Sequence, residues 1–345
     1  MENPHPNPDT PVRIATAGEA LIDLITQPDG RLEPCLGGAV FNLTRAIARQ
    51  GVGVAYLNPL SSDRFGRQLA QALVSDGVQL ARPQPVPAST SLAVVAVDAA
   101  GHPDYAFYRQ GVADRDTDAG QLGQACAALP ALELVCTGCL ALSPEDTATY
   151  LPWLQAQCAR GCTVVVDANL RPSVMTDLPA YRGNVLAALQ LADIIKASDE
   201  DLEHLGVPGA DALEKATCLL QATSARFFVL TLGPRGACLI ARDGATWQAV
   251  ETAPVAVVDT VGAGDCFLAG LLVAWLRQPA PARAPRVALG DAQARDLLTH
   301  AVASATLCVM RRGAAPPTAA EVQARVARAP AQIERLRASG GLRAK

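Results

Sequence analysis

The chain has 345 residues, half of them hydrophobic, with 18% charged side chains and a formal net charge of −4. That length allows one large domain or two modest ones around a sizeable core. The acidic balance, the 4% of aromatic residues and the lack of any basic run of five or more exclude a polyanion-binding surface, so no nucleic-acid partner is expected.

Residues 1–11 carry four prolines among polar residues and no apolar stretch, which reads as a disordered lead-in and not as a signal peptide. The longest apolar run beside a helix pattern, 267–276, is too short to span a bilayer, so a cytoplasmic protein with no membrane partner is expected. Of ten cysteines, Cys136 and Cys139 form the only Cys-x-x-Cys, with no second pair at zinc spacing. Cys158 and Cys162 have no histidine nearby to complete a metal site. The cysteines therefore read as reduced, small core residues.

Residues 12–17 read as a buried strand, followed by Gly18-Glu19-Ala20-Leu21-Ile22-Asp23. If the strand ends near Gly18, Glu19, Asp23 or both face the cleft where open α/β sheets bind ligands. Ordinary surface carboxylates are the alternative. Gly37-Gly38-Ala39-Val40-Phe41-Asn42 then opens a helix that runs to Gln50. The paired glycines permit close approach of a small ligand, and Asn42 both donates and accepts hydrogen bonds. Residues 52–59 give another strand, and Ser62-Asp63 caps a helix through Asp76-Gly77. This alternation predicts a mostly parallel sheet covered on both faces.

Residues 91–98 and 104–109 break the rhythm and read as a hairpin about a turn at 99–103. With the irregular piece 24–36 they predict a small separate sheet, a flap that excludes water and orders substrate. Arg109 ends the hairpin, either reaching into the pocket or solvated. Strand 132–136 then leads to a helix over 144–160, with Ser143 as N-cap and Pro144 at its first position. Strand 163–166 ends in Asp167-Ala168-Asn169-Leu170-Arg171-Pro172, a second candidate ligand edge. Strand 193–196 precedes Ser198-Asp199-Glu200-Asp201, which is a helix cap with an acidic first turn or part of a metal-water shell. Strand 227–230 runs into the glycine loop Thr231-Leu232-Gly233-Pro234-Arg235-Gly236, and 237–241 with 245–250 give a second hairpin.

An extended, β-branched stretch, 255–258, leads into Asp259-Thr260-Val261-Gly262-Ala263-Gly264-Asp265, and a helix over 266–277 leaves it with Phe267, Leu268, Leu271, Leu272 and Trp275 at helical spacing. Glycines at a helix start let backbone N–H groups face outward, and the first of these have no intrahelical partner. With the helix dipole they make an anion site suited to phosphate. Asp265 stands inside that site, where a carboxylate suits the task of taking a proton from an attacking hydroxyl. A plain glycine-rich turn is the alternative. A proline/alanine loop at 279–285 and two helices, about 290–311 and 318–337, close the chain.

Gly37-Gly38 with Asn42, Asp167-x-Asn169-x-Arg171-Pro172, Thr231-Leu232-Gly233-x-x-Gly236 and Asp259-Thr260-x-Gly262-Ala263-Gly264-Asp265 occur in one order. This set resembles the ribokinase-like sugar kinases of the PfkB family, over residues 12–317. The resemblance implies an α/β fold: a ribokinase-like, doubly wound, mostly parallel sheet flanked by helices, with a small β-sheet lid. It places one kinase domain over 12–320, with lid pieces at about 19–36 and 91–112, and a C-terminal helix and tail over 321–345.

The implied reaction transfers the γ-phosphoryl of ATP, with Mg²⁺, to a sugar hydroxyl. By the same resemblance Asp265 looks like the base, and Gly262, Ala263 and Gly264 look like the anion hole. Asn169, Ser198, Thr231, Gly233 and Gly236 look like nucleotide contacts, joined by Gly262 and Gly264. Asp23, Gly37, Gly38, Asn42, Arg109 and Arg171 look like sugar contacts. Asp201 is expected to meet the metal through water, and Asp259 to hold a monovalent cation such as K⁺. Two departures stand out: Ser198-x-x-Asp201 replaces a common Asn-x-x-Glu, and Gly-Gly-Ala-Val-Phe-Asn replaces Gly-Gly-Ala-Pro-x-Asn. Gly18–Asp23 and Phe107–Asp114 most resemble fructokinases, so fructose ranks first, 2-keto-3-deoxygluconate second, and ribose or a nucleoside third. An inactive regulatory version of the fold is the non-enzyme alternative. A homodimer through the lid is expected.

Overall fold

The structure, a computed structural model, describes residues 10–27, 29–97, 103–279 and 288–336. The first third runs β1 (Val12–Thr16), β2 (Leu21–Thr26), β3 (Leu32–Gly37), α1 (Ala39–Arg49), β4 (Gly53–Tyr56), α2 (Arg64–Ser75), β5 (Gln79–Leu80), β6 (Ser91–Val97) and β7 (Pro103–Tyr108). The middle runs α3 (Ala119–Ala127), β8 (Leu134–Gly138), α4 (Thr147–Ala159), β9 (Thr163–Asp167), α5 (Leu178–Gln190), β10 (Ile194–Ser198), α6 (Asp199–Leu205) and α7 (Ala212–Gln221). The last third runs β11 (Phe227–Thr231), β12 (Ala237–Ala241), β13 (Thr246–Val250), α8 (Ala263–Arg277), α9 (Asp291–Val309), α10 (Ala319–Arg328) and β14 (Gln332–Leu336).

Strands such as Leu134-Val135-Cys136 and Val164-Val165-Val166 are apolar at every position because both faces of the sheet are covered. Alternate residues serve opposite cores: Val165 packs towards α1, α8 and α9, while Val164 and Val166 pack towards the α4 and α5 side. The ten-stranded sheet has the order β14-β13-β12-β11-β10-β9-β8-β1-β4-β5. Pairing is parallel from β5 through β11 and antiparallel from β11 to β14. A second sheet, β3-β2-β6-β7, stands apart, as the small separate sheet was expected to. The piece expected to be irregular, 24–36, mostly belongs to the β2–β3 hairpin of that sheet. The turn expected at 99–103 lies largely outside the described residues.

Helix α8 is buried on every side from Asp265 to Leu276. Phe267, Leu268, Leu271, Leu272 and Trp275 are each at most 4% exposed, and full burial of such a side chain contributes about 1.5–3 kcal/mol. The helix is thus anchored along its length, which fixes where its N-terminus points. Among the described residues, no helix is long and apolar enough to cross a membrane.

Three sequence expectations are corrected. The stretch 255–258 forms no strand: Val257 and Val258 are 62% and 61% exposed, and Val258 N–H donates to Val309 O at 2.8 Å. β-Branched residues favour extended backbone, but here no neighbouring strand offers a ladder. The helix expected over 144–160 begins with a 3₁₀ turn, Pro144–Asp146, and Ser143 Oγ donates to Asp146 Oδ2 at 2.8 Å instead of capping backbone. The helix expected over 318–337 stops at Arg328, just before Pro330, and Gln332–Leu336 pairs antiparallel with β13 as the sheet's edge strand.

Candidate active site

The chain enters the sheet at β1, builds outward to β4 and β5, and returns on the other side at β8. The β1/β8 boundary is therefore the switch point, and a crevice opens at the C-terminal ends of these strands. A cavity of about 770 Å³ lies there, within the usual range for small-molecule sites. Its wall includes Asp23, Gly38, Asn42, Asn169, Arg171, Asp259, Gly262, Gly264 and Asp265. Gly37, Arg109, Ser198, Asp201, Thr231, Gly233, Gly236 and Ala263 lie off that wall.

The glycine pair lets α1 begin directly against the strand-end carboxylates. Gly38 has φ 105°, and a Cβ there would sit 2.7 Å from Glu19 O. At Gly37 a Cβ would sit 2.1 Å from Asp23 Oδ2, so Gly37 backs the carboxylate without lining the cavity. One turn on, Asn42 is buried, and its Nδ2 donates to Asp265 Oδ2 at 3.1 Å while Oδ1 has no partner.

Gly262 caps α8 at φ 76°, and a Cβ there would lie 2.7 Å from Ala314 Cβ. Cys266 N–H donates to Gly262 O at 2.8 Å, and Ala263 N–H turns back to Thr260 O at 3.2 Å. The N–H groups of Gly264 and Asp265 precede the first helical bond and carry the positive end of the helix. Asp259 braces this turn: its Oδ1 accepts from Val261 N–H at 3.0 Å and its Oδ2 from Gly313 N–H at 2.8 Å. Asp265 is 7% exposed. Burial pushes its carboxyl above the usual range, opposed by Lys196, by the Asn42 hydrogen bond and by Arg171.

On the lid side, burial raises Asp23 to about 6, opposed by Arg171. Burial also raises Glu19 to about 7, opposed first by Arg109; Oε1 accepts from Ala39 N–H at 2.9 Å, and Oε2 is buried without a partner. Asn169, at φ 38°, accepts from Arg171 Nη1 at 2.8 Å through Oδ1. Arg109 does not reach this cavity. Its guanidinium donates to Leu140 O at 3.2 Å and Asp114 Oδ2 at 3.4 Å, beside Asp146 at 3.8 Å, and it lines a neighbouring cavity of about 660 Å³. Burial works against its charge, but Asp114 and Asp146 outweigh it and raise its pKa.

Ser198 and Thr231 stand side by side at the ends of β10 and β11. Ser198 caps α6 in a reciprocal box with Asp201: Asp201 N–H donates to Ser198 Oγ at 3.0 Å, and Ser198 N–H to Asp201 Oδ2 at 2.7 Å. Asp201 Oδ1 accepts from Leu170 N–H at 2.7 Å. Both oxygens are thus engaged by backbone. In the glycine loop, Leu232 N–H donates to Gly236 O at 2.9 Å, and a Cβ at Gly236 would meet Ala249 O at 2.0 Å. Among the described residues no group of three or more His, Cys, Asp or Glu could hold a metal.

Lys196 escaped the sequence reading. It is 4% exposed on β10, its Nζ donates to Asp167 Oδ2 at 3.0 Å, and it touches the start of α8. The available signal was a lysine inside Ile194-Ile195-Lys196-Ala197, a central strand with no room for a solvated charge.

The profile of the pfkB family carbohydrate kinases matches residues 13–321. The chain is 32% identical over 266 residues to a fructokinase of Rhizobium leguminosarum bv. trifolii, covering 75% of this chain and 78% of the relative. The crystal structure of a Xylella fastidiosa fructokinase with bound ATP superposes with a TM-score of 0.77 at 28% identity, over 92% of this chain and 98% of that one. A Vibrio cholerae fructokinase, bound to fructose, ADP and calcium ion, gives 0.75 at 26% identity, over 92% and 99%.

Proposed function

Because the chain belongs to the pfkB family of carbohydrate kinases, and acts as an ATP-dependent sugar kinase, we propose that its substrate is fructose. The observation that carries this reading is the charge on the cavity wall. Glu19, Asp23, Asp259 and Asp265 line it, against Arg45, Arg171 and Arg312. Arg45 pairs with Asp76 and Arg312 with Glu33, which leaves Arg171 facing Asp23. Such a wall suits a neutral polyol, whose hydroxyls donate to carboxylates, and repels a sugar acid. The solved relative that holds fructose and ADP supports the same choice.

In this reading a sugar hydroxyl lies against Asp265, which takes its proton as the oxygen attacks the γ-phosphorus of ATP. ADP leaves, and the N–H groups at the start of α8 receive the charge spread over the transferring phosphoryl. Such donors neutralise charge without ion-pairing the base. Asn42 fixes the carboxylate, and the lid excludes water. Asp201 would hold the waters of a bound Mg²⁺, which would supply charge neutralisation to the phosphates, with Ser198 and Thr231 near the nucleotide. Asp259 is the proposed monovalent-cation ligand, and Arg109 acts from behind the sugar site. The same reading places the enzyme in the cytoplasm, as a homodimer through the lid, where Leu32 and Tyr108 expose 48% and 61% on its two edge strands.

A sugar panel with ATP and Mg²⁺, read by ADP release, tests the substrate. Fructose is expected to give the highest kcat/KM. A preference for 2-keto-3-deoxygluconate, or for ribose or a nucleoside, overturns fructose and leaves the kinase; no turnover with any sugar favours an inactive regulatory fold.

A further inference from the structure

We propose that Lys196 is a positioning residue for phosphoryl transfer: its ammonium, buried behind the first turn of α8, holds Asp265 as a carboxylate and makes that turn more receptive to anions. Lys196 sits on β10, the strand beside β9, and Asp167 at the end of β9 takes it in a buried ion pair at 2.9 Å. The ammonium also packs on the start of α8, where a methyl at Gly264 would stand 3.1 Å from Nζ. Gly264 is the residue before the proposed base. Its lack of a side chain lets a cation approach the helix N-terminus that offers N–H groups to phosphate.

A cation at a helix N-terminus opposes the helix dipole, so its presence there calls for a reason. The carboxylates supply it. Burial alone would discharge the amine, but Asp167, Asp201 and Asp265 together outweigh burial and hold it charged above the ordinary lysine value. Facing Asp265 in turn are Lys196 from β10, Asn42 from α1, Arg171 and Asp167 from β9 and its following turn, and the thiols of Cys139, Cys266 and Cys308. Lys196 leads the groups that oppose the effect of burial on Asp265.

A structural role alone, neutralising Asp167, would leave Asp265 untouched, and this sets the test. The inference rests on Asp265 being the base. Lys196→Met, Lys196→Met with Asp167→Asn, Lys196→Arg and Asp167→Asn are assayed across pH with saturating sugar and MgATP. Loss of the ammonium disfavours the carboxylate of Asp265, so the acid limb of kcat moves to higher pH, by on the order of one unit. Below the limb kcat at a given pH falls about tenfold while KM for either substrate changes little. The double variant buries no unpaired member of the pair, so it carries the test if Lys196→Met alone does not fold. Lys196→Arg keeps the wild-type limb. Asp167→Asn moves the limb down, because the ammonium is then shared only with Asp265 and Asp201. A double variant with the wild-type limb and kcat overturns the inference, since neutralising Asp167 would then be all that Lys196 does. Asp265→Asn run in parallel separates the failures: surviving turnover there overturns the base reading itself, and the inference with it.

Discussion

On the lid-facing wall of the cleft, buried acceptors are left without partners: Glu19 Oε2 and Asn42 Oδ1 receive no hydrogen bond from the protein. Across the cleft and behind its far wall, carboxylates are committed. Asp259 and Asp201 each accept backbone N–H groups on both oxygens, and Asp167 holds Lys196. An unmet buried acceptor costs about 1–3 kcal/mol until something donates to it. In the proposed reading a polyol brings O–H donors to these acceptors, offsetting on binding a cost met on folding. The α8 wall is fixed before any ligand arrives, as expected of a site that must receive charge without reorganising.

The sharpest way to break this contrast is at Asp265, which touches both walls. Asp265→Asn keeps the shape and the neighbour Asn42 but cannot take a proton. We expect kcat to fall by about 10² to 10⁴, with ATP affinity largely kept, as read by steady-state kinetics and nucleotide titration. Near wild-type kcat would remove the base assignment.

Glu19→Gln probes the unmet lid wall through stability. The folded carboxyl sits at about 7, above its free value of 4.5, so folding takes up a proton. The stability this contributes is present below the free value and is lost as pH rises through about 7. The glutamine variant has no such loss. Its stability relative to wild type should therefore improve between pH 5 and pH 8, by up to roughly 3 kcal/mol, measured by denaturant unfolding at each pH. A pH-independent difference would show that Glu19 is not buried as a carboxyl that gains a proton on folding.

The smallest effect is expected at Asp23. Asp23→Asn replaces a strong acceptor, and kcat/KM for fructose should fall about tenfold, near 1.5 kcal/mol. Activity towards 2-keto-3-deoxygluconate should rise, because one negative charge leaves its path. Unchanged fructose kinetics would detach Asp23 from the sugar.

Much of this site was legible in the sequence because glycine motifs report backbone needs directly. Gly37, Gly38 and Gly262 mark places where a Cβ has no room, and Asn42 and Asp265 stand at fixed steps from them. The alternation of strands and helices gave the sheet and both of its covered faces. Partners distant in sequence were not legible. Nothing local says that Lys196 meets Asp167, or that Arg109 turns to Asp114 and Asp146 and away from the sugar cavity. The valines at 255–258 carried a strand's chemistry without a strand's neighbours. The segment Gln332-Ile333-Glu334-Arg335-Leu336 has only two apolar residues, Ile333 and Leu336, at a spacing of three that a helix also gives, so nothing local marked it as a strand.

That last strand bears on how the molecule is made. During synthesis β13 emerges with its outer edge open, and α8, α9 and α10 must all follow before β14 arrives to cover it. The nascent chain therefore carries an unprotected sheet edge for most of its final third, the kind of edge through which chains stick to one another. A copy cut short after Arg328 would keep every residue lining the proposed active site and still be left with that edge. We expect such a copy to lose yield as soluble protein more than chemistry, since β14, the short edge strand of the full chain, no longer covers β13.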